Sequence, residues 1–402
     1  MLSSPSLFQT LVLALILTAS FQSSTVEAGT PTTEPVTTAD TLSDSLSLGD
    51  RLENLGRLYK NKDGKFLNEF WILGRYHGHY HWSEGSAGED EGHEIRRLRM
   101  GGQATLFKKL TLHAQMVSGS DADPFYNGFT ELWAGWAFSD ALVLTVGQQK
   151  HRFTHDRNVS SRYLNYLERA MLTNMFGLDY TPAITLSGRT DKIWYYTGIF
   201  SNATGGNMRE AFTEFDAGWS YLASFTYDLG KSLGTDTAHV NLGYVYSQAN
   251  ENATNLDRFD HGASAALILT KGPASLVTEA LVGVGGEDGS AYGINIQPGY
   301  FLTDDIQLVA RYQLAASSEE NGLRGQKRYE KEAGLPSGDL YQAGYFGVNY
   351  YIAKHRLKLM TGIEYATMGG EEVWTASAMV RFFFGPHSGA PFPANQMLKG
   401  RF

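Results

Sequence analysis

The sequence contains no cysteine and few charged residues. Of its 402 residues none is Cys, and 19% are Asp, Glu, Lys or Arg. The absence of Cys excludes a disulfide framework, a cysteine nucleophile and a thiolate metal site. The formal net charge is −9, and no basic run accompanies it. We therefore expect no nucleic-acid partner.

Long apolar runs are also lacking. The short apolar core LVLALILTA at residues 11–19 falls below the ~18 residues that a membrane-spanning helix needs. Small residues follow it up to Ala28, so we predict a secretory signal peptide over residues 1–28, although no Lys or Arg precedes the core. An exported chain without helical spans is either soluble or a closed barrel of strands.

Aromatic residues and glycine are abundant instead. The chain has 22 Tyr, 22 Phe, 7 Trp and 44 Gly. A soluble α/β enzyme would carry more Leu, Ala, Glu and Lys in helices. This composition favours many twisted strands with tight turns and aromatic belts.

The region before the strands, residues 29–65, divides into two parts. Residues 29–40 are rich in Thr and Pro and are typical of a disordered linker. Five leucines then recur at roughly helical spacing, which predicts a short amphipathic helix at the periplasmic side. A self-associating coiled coil is the alternative, with fewer than three heptads to support it. The leucines are Leu42, Leu46, Leu52, Leu55 and Leu58.

Residues 66–384 form the main domain and contain segments of alternating polarity that end at turn residues. We predict sixteen strands and a separate tail over residues 385–402. The strands cover residues 66–82, 93–107, 110–117, 129–138, 141–149, 183–188, 192–200, 219–229, 238–248, 259–270, 274–284, 292–302, 306–315, 340–352, 356–366 and 373–384.

The connections between these strands alternate between short and long. The long set includes residues 83–92, 118–128, 150–182, 201–218, 249–258 and 316–339. Outer-membrane barrels have short periplasmic turns and long external loops, and an even strand number puts both termini in the periplasm. The expected fold is therefore all-β, a transmembrane antiparallel β-barrel of about sixteen strands, located in the outer membrane.

One face of the strands is apolar and the other carries charges. Leu308, Tyr312 and Leu314 alternate with Arg311 and Gln313, for example. A small packed barrel could not bury such charges unpaired, whereas a water-filled lumen removes the cost.

Two stretches and the final strand resemble the phosphate-selective porin O and P family. Residues 94–115, EIRRLRMGGQATLFKKLTLHAQ, are similar to its Arg-rich strand, glycine, turn and next strand. Residues 147–176 resemble its long inserted loop, with a short helix carrying Glu168 and Arg169. The ending VRFFFG resembles the last strand that the barrel-assembly machinery reads, although Phe402 also ends the chain on an aromatic residue.

The resemblance implies a homotrimeric channel in membrane lipids for passive diffusion of small hydrophilic solutes. A dense run of lumenal Lys is missing, so we expect a modest preference for small anions rather than tight phosphate capture. Inward-facing strand positions and the inserted loop supply the candidate cations. They are Arg75, Arg97, Arg99, Lys150, Arg152, Arg169, Arg311 and Arg381. Alternatively, these cations pair with inward-facing acids such as Glu69, Glu131, Glu279 and Glu364.

The loop over residues 150–182 is too long for an ordinary hairpin connection. Basic residues, among them Arg157, Arg162 and His155, predominate in it, and apolar residues at near-helical spacing predict a helix over residues 163–175. An apolar stripe needs a packing surface, which favours a loop folded into the barrel over a solvated external loop.

We expect no catalytic, metal or cofactor site. His77, His79 and His81 share one strand face, but side chains about 6 to 7 Å apart along a strand do not converge on one ion. No nucleophile motif stands out, so the protein is not expected to be an enzyme. A structural or adhesive barrel without an open pore and a barrel enzyme are the alternative functions.

Overall fold

The computed structural model describes residues 48–286, 289–325 and 328–386. The predicted signal peptide, the linker up to residue 47 and the tail beyond residue 386 lie outside the described residues. Sixteen strands form a closed barrel, as predicted, and a short additional strand, Arg57–Lys60, joins the same sheet. The barrel strands are β1 Leu67–Gly85, β2 Gly88–Leu106, β3 Leu110–Val117, β4 Phe129–Ser139, β5 Leu142–Lys150, β6 Tyr180–Arg189, β7 Ile193–Ser201, β8 Gly218–Gly230, β9 Thr237–Ala249, β10 His261–Lys271, β11 Ala274–Val284, β12 Ala291–Phe301, β13 Ile306–Ser317, β14 Leu340–His355, β15 Leu357–Met368 and β16 Glu371–Phe384.

Each strand pairs antiparallel with the next, and the last pairs with the first. β16 and β1 are in register from Val373 opposite Gly85 to Phe384 opposite Gly74. A closed sheet leaves no edge strand with unpaired N–H and C=O groups, which is the condition for placing strands in lipid. The fold is therefore a closed antiparallel barrel.

The two faces of the wall differ as the alternation predicts. On β13, Gln307, Arg311 and Gln313 are buried, whereas Tyr312 is 44% exposed. On β16, Arg381 is fully buried, whereas Trp374 is 51% exposed. Large apolar side chains thus cover the outside of the barrel, and charged and amide side chains line the inside.

The connection predicted over residues 83–92 is wrong. β1 continues to Gly85, β2 begins at Gly88, and Ser86 and Ala87 form the turn. Gly88 makes the tight turn possible with a φ of 130°, a region that L side chains rarely adopt. The segment has no large apolar side chain and therefore resembles a loop in the sequence. In the structure, pairs between polar side chains, such as His81 with Asp90 at 2.9 Å, support the continuation of both strands.

The predicted helix over residues 163–175 is also wrong, because only Met171–Asn174 is helical within it, and a second short helix covers His155–Asn158. The carbonyls of Leu164 and Leu167 accept hydrogen bonds from Arg381 of β16, at 3.1 and 2.6 Å, instead of from helical N–H groups. β6 begins at Tyr180, so the segment between β5 and β6 is residues 151–179. We call it the inserted segment.

The predicted amphipathic helix ends earlier than the leucine pattern indicates. It covers Leu48–Asn54, and Leu58 belongs to a short strand, Arg57–Lys60, that pairs with β1. Gly56 ends the helix with a φ of 88°, and a Cβ there would lie 2.2 Å from the carbonyl oxygen of Ile72. Leu42 and Leu46 lie outside the described residues. Within the described ranges, no helix is long and apolar enough to cross a membrane.

Candidate anion pathway

Cationic side chains on the inner wall bind the backbone of the inserted segment. The Arg381 guanidinium donates four hydrogen bonds, to the carbonyl oxygens of Ser161, Leu164, Tyr166 and Leu167, at 2.6 to 3.2 Å. The Nζ of Lys358 on β15 donates to the Leu164 carbonyl at 2.5 Å. Hydrogen bonds from charged donors are the strong ones, so this contact fixes residues 161–167 against β15 and β16.

A second set of contacts joins the segment to β11 and β13. The Glu279 carboxylate accepts hydrogen bonds from the backbone N–H groups of His155, at 2.5 Å, and Asp156, at 3.2 Å. The side chain of Gln313 accepts from the N–H of Met171 at 2.7 Å. Apolar side chains of the segment, including Leu172 and Phe176, belong to a buried cluster with residues of the strands. The inserted segment is thus held on several sides by residues of the inner wall.

A cavity of about 550 Å³ remains between the inserted segment and the wall near β2. Arginines border it from both sides, and its wall also contains Glu168, Asp179 and Tyr180. Five guanidiniums against two carboxylates leave a local excess of three positive charges. The arginines are Arg96, Arg97 and Arg99 of β2 and Arg157 and Arg169 of the inserted segment.

Aromatic and carboxylate groups orient these arginines. The Nη1 of Arg99 donates to the Tyr180 hydroxyl at 2.9 Å, and Arg157 lies over the same ring at 5.2 Å. The Nε of Arg96 lies 2.7 Å from Oε1 of Glu168, and the Nη2 of Arg97 lies 3.7 Å from Oε2. The guanidiniums are thus held at the cavity wall rather than free to turn away from it.

The alternation of inward and outward positions along β2 does not predict Arg96 at the cavity, because a β-bulge interrupts the strand. His77 pairs with Arg97 and Gly78 pairs with Ile95, so Arg96 is the extra residue. Two consecutive arginines therefore reach the same carboxylate. A signal was available in the sequence, since Ile95 and Leu98 are both apolar at an odd spacing, which an unbroken strand cannot place on one face.

The candidate cations divide into two groups. Arg97, Arg99 and Arg169 border the cavity. The other five do not border the cavity and contact protein groups instead. Arg75 donates to Ser161 Oγ at 2.7 Å, and Lys150 donates to the Val159 carbonyl at 3.2 Å. Arg311 donates to Glu364 at 3.0 Å, Arg152 lies over the Tyr196 ring at 5.7 Å, and Arg381 binds the carbonyls of the inserted segment. The pairing alternative thus describes Arg311 with Glu364, and it also applies to Arg97, 3.7 Å from Glu168, and to Arg169, 3.8 Å from Asp156. Glu279, by contrast, binds backbone N–H groups.

Burial and neighbouring charges decide which groups of the inserted segment are ionised at neutral pH. Burial lowers the pKa of His155 to about 4, so this residue does not add to the positive charge that the sequence indicates. Burial lowers the pKa of Arg169 to about 10, which leaves it charged. Burial by itself would raise the pKa of Glu168, but Arg96 and Arg97 outweigh it and hold that pKa well below its usual range.

Comparison with known proteins identifies one matching family and many similar folds. The profile of the family described as "Phosphate-selective porin O and P" matches residues 70–373. No curated protein matches the chain.

Among solved structures, an anion-selective porin from Comamonas acidovorans is similar with a TM-score of 0.57 and 11% identity, covering 78% of this chain and 99% of that one. Salmonella typhi OmpF, in complex with daunomycin, has a TM-score of 0.56 and 10% identity over 81% of this chain and 100% of that one. Pseudomonas putida OprB has a TM-score of 0.55 and 12% identity, with 78% and 94% covered. At these identities the likeness concerns the fold.

Proposed function

This chain belongs to the phosphate-selective porin O and P family, and from that membership we propose that it is an anion-preferring channel. As a porin it resides in the outer membrane and passes small hydrophilic solutes by passive diffusion. A channel of this kind makes and breaks no covalent bond, and pore width and fixed charge set the rate at which each solute passes.

The observation that carries the proposal is the arginine excess around the cavity. Five guanidiniums and two carboxylates border about 550 Å³ of space, although the whole chain carries a net charge of −9. Charges on exposed loops are screened beyond about 8 to 10 Å in physiological salt, whereas those beside a narrow passage are screened less. The local arginines therefore outweigh the acidic exterior for an ion inside the passage.

We further propose that the inserted segment is the constriction of the channel. Support comes from its hydrogen bonds to inward-facing Arg381, Lys358 and Gln313 and from its position beside the cavity. Guanidiniums bind oxyanions through two parallel N–H groups, a geometry that an ammonium lacks. With few of them at the passage, binding stays weak enough for release, which corresponds to a modest preference for anions including phosphate.

The test is the reversal potential of single channels in a potassium chloride gradient. We expect anion preference in the wild type and a shift toward cations in the Arg97→Ser/Arg99→Ser double variant. A unit charge at 4 Å in water is worth about 1 kcal/mol, so the anion-to-cation permeability ratio should fall at least about fivefold.

The control is Arg189→Ser/Arg209→Ser, which removes the same charge from two exposed positions. It should leave the reversal potential nearly unchanged. A cation-selective wild type, or equal shifts in both double variants, would show that the arginines of β2 are not the filter. Absence of any channel activity would favour a barrel without an open pore.

A further inference from the structure

Glu168 is the buried carboxylate of the cavity wall. Its side chain is 9% exposed, whereas that of Asp179, on the same wall, is 58% exposed. Burial of a carboxylate is unfavourable unless charges or hydrogen bonds compensate it. The compensation here comes from β2, and it involves the same arginines to which we attribute the selectivity.

The two oxygens of Glu168 contact two different guanidiniums. Oε1 lies 2.7 Å from Nε of Arg96, and Oε2 lies 3.7 Å from Nη2 of Arg97. A carboxylate or a phosphate group from solution would also bind guanidinium N–H groups through two of its oxygens. The Glu168 side chain therefore takes the position in which these arginines would bind such a group.

The backbone around Glu168 keeps the carboxylate in that position. The Glu168 carbonyl oxygen accepts a hydrogen bond from Nη1 of Arg311 at 2.8 Å. The neighbouring Arg169 donates to the carbonyl oxygens of Asp156 and Val159. Because residues on both sides of the peptide bond are fixed, the carboxylate has a short reach and cannot follow an anion along the passage.

We propose that Glu168 is a built-in counter-anion that competes with permeating oxyanions for Arg96 and Arg97. The inference rests on the anion preference proposed above and adds the class of ligand, namely small anions with a two-oxygen edge, carboxylate or phosphate. By occupying the pair of guanidiniums, Glu168 weakens the binding of the transported anion and speeds its release. Strong binding would otherwise retain the anion and block the channel.

The experiment measures how inorganic phosphate and acetate block the chloride current of the full-length protein in planar bilayers. Chloride has no two-oxygen edge and serves as the tracer. In Glu168→Gln, the half-blocking concentration of both anions should fall about fivefold or more, because a full negative charge leaves the guanidiniums. A fall for phosphate without one for acetate would support the site and restrict its ligand to phosphate.

The matched control is Glu320→Gln, which removes the same charge by the same substitution from an exposed position outside the cavity wall. Its half-blocking concentrations should stay within about twofold of the wild type, since an exposed charge is screened. If the half-blocking concentration fell equally in both variants, the net charge of the protein would determine anion block, which overturns the inference. If Glu168→Gln had a larger unit conductance but unchanged anion block, the carboxylate would only hold the inserted segment in place, and the inference would be overturned as well.

A second variant covers the case in which Glu168→Gln fails to assemble. Glu168→Asp keeps the charge but withdraws it from Arg96 and Arg97 by one methylene group, so block should strengthen in the same direction by a smaller factor. Unchanged block in this variant would contradict the inference. A wild-type channel that is cation-selective would instead contradict the proposed function, so the two failures are distinguishable.

Discussion

Arg381 and Arg97 are both arginines at inward-facing positions of barrel strands, but their surroundings differ. Arg381 is fully buried and donates to four backbone carbonyls of the inserted segment. Arg97 borders the cavity and lies beside Glu168. We infer that Arg381 positions the inserted segment, with Lys358 and Arg311, whereas Arg97 acts directly on the passing ion.

Replacing Arg381 by Met should therefore loosen the inserted segment. Each hydrogen bond from a charged donor contributes about 1.5 to 3 kcal/mol, and the carbonyls left without a donor stay buried. We expect a larger and noisier unit conductance and faster proteolysis within residues 151–179, with a smaller change in reversal potential than in Arg97→Ser.

Arg381→Lys is the conservative control, because it keeps the charge and part of the hydrogen bonding. It should restore most of the wild-type conductance. If Arg381→Met changed the reversal potential as strongly as Arg97→Ser and left the conductance unchanged, Arg381 would belong to the filter instead.

At the scale of elements, β16 closes the barrel and leads into the tail. A Cβ at Gly74 would lie 2.3 Å from the Phe384 ring, so the glycine of β1 makes room for this aromatic residue. The carbonyl of Gly385 accepts from Arg356 at 2.7 Å, and that of Pro386 accepts from Arg162 of the inserted segment at 2.8 Å. The end of β16 therefore contacts both the first strand and the inserted segment.

We predict that Phe384→Ser lowers the amount of assembled protein in the outer membrane, because an aromatic residue at the end of the last strand is the expected recognition feature for the barrel-assembly machinery. Phe346→Ser is the control, since Phe346 is 50% exposed on the outer face of β14 and loses the same apolar surface. Heat-modifiable protein in membrane fractions is the measurement. If deletion of residues 387–402 abolished assembly while Phe384→Ser did not, the signal would lie in the tail.

At the scale of the whole molecule, sixteen paired strands with an apolar outer face account for residence in lipid. The closed sheet satisfies the backbone of every barrel strand through its neighbours, as the hydrocarbon core of a bilayer requires. The homotrimer that the family resemblance implies is still a prediction, and in such a trimer other copies would cover part of the outer surface.

We expect the purified protein to give a β-rich circular dichroism spectrum in detergent and to migrate differently before and after boiling. Cross-linking in mild detergent should yield a trimer that disappears on boiling. A mainly helical spectrum would contradict the barrel, whereas cross-linking that stops at the monomer would contradict only the trimer.

The sequence by itself determined the number of barrel strands, the face of most side chains and the alternation of most connections, although the short turn between β1 and β2 is an exception. These features depend on a period of two and on turn residues, which are local properties of the chain. The inserted segment could also be recognised, because its length and basic residues stand out in the sequence. Its cations, however, could be assigned only to the segment and not to particular partners.

Only the tertiary structure decided which arginines border the cavity and which hold the inserted segment. The helix over residues 163–175 failed because side chains of distant strands, Arg381 and Lys358, take the carbonyls that a helix would use. Arg96 came to the cavity through a bulge, which is set by pairing with β1. Both outcomes depend on contacts between residues far apart in the chain, and the period of a single strand contains no information about such contacts.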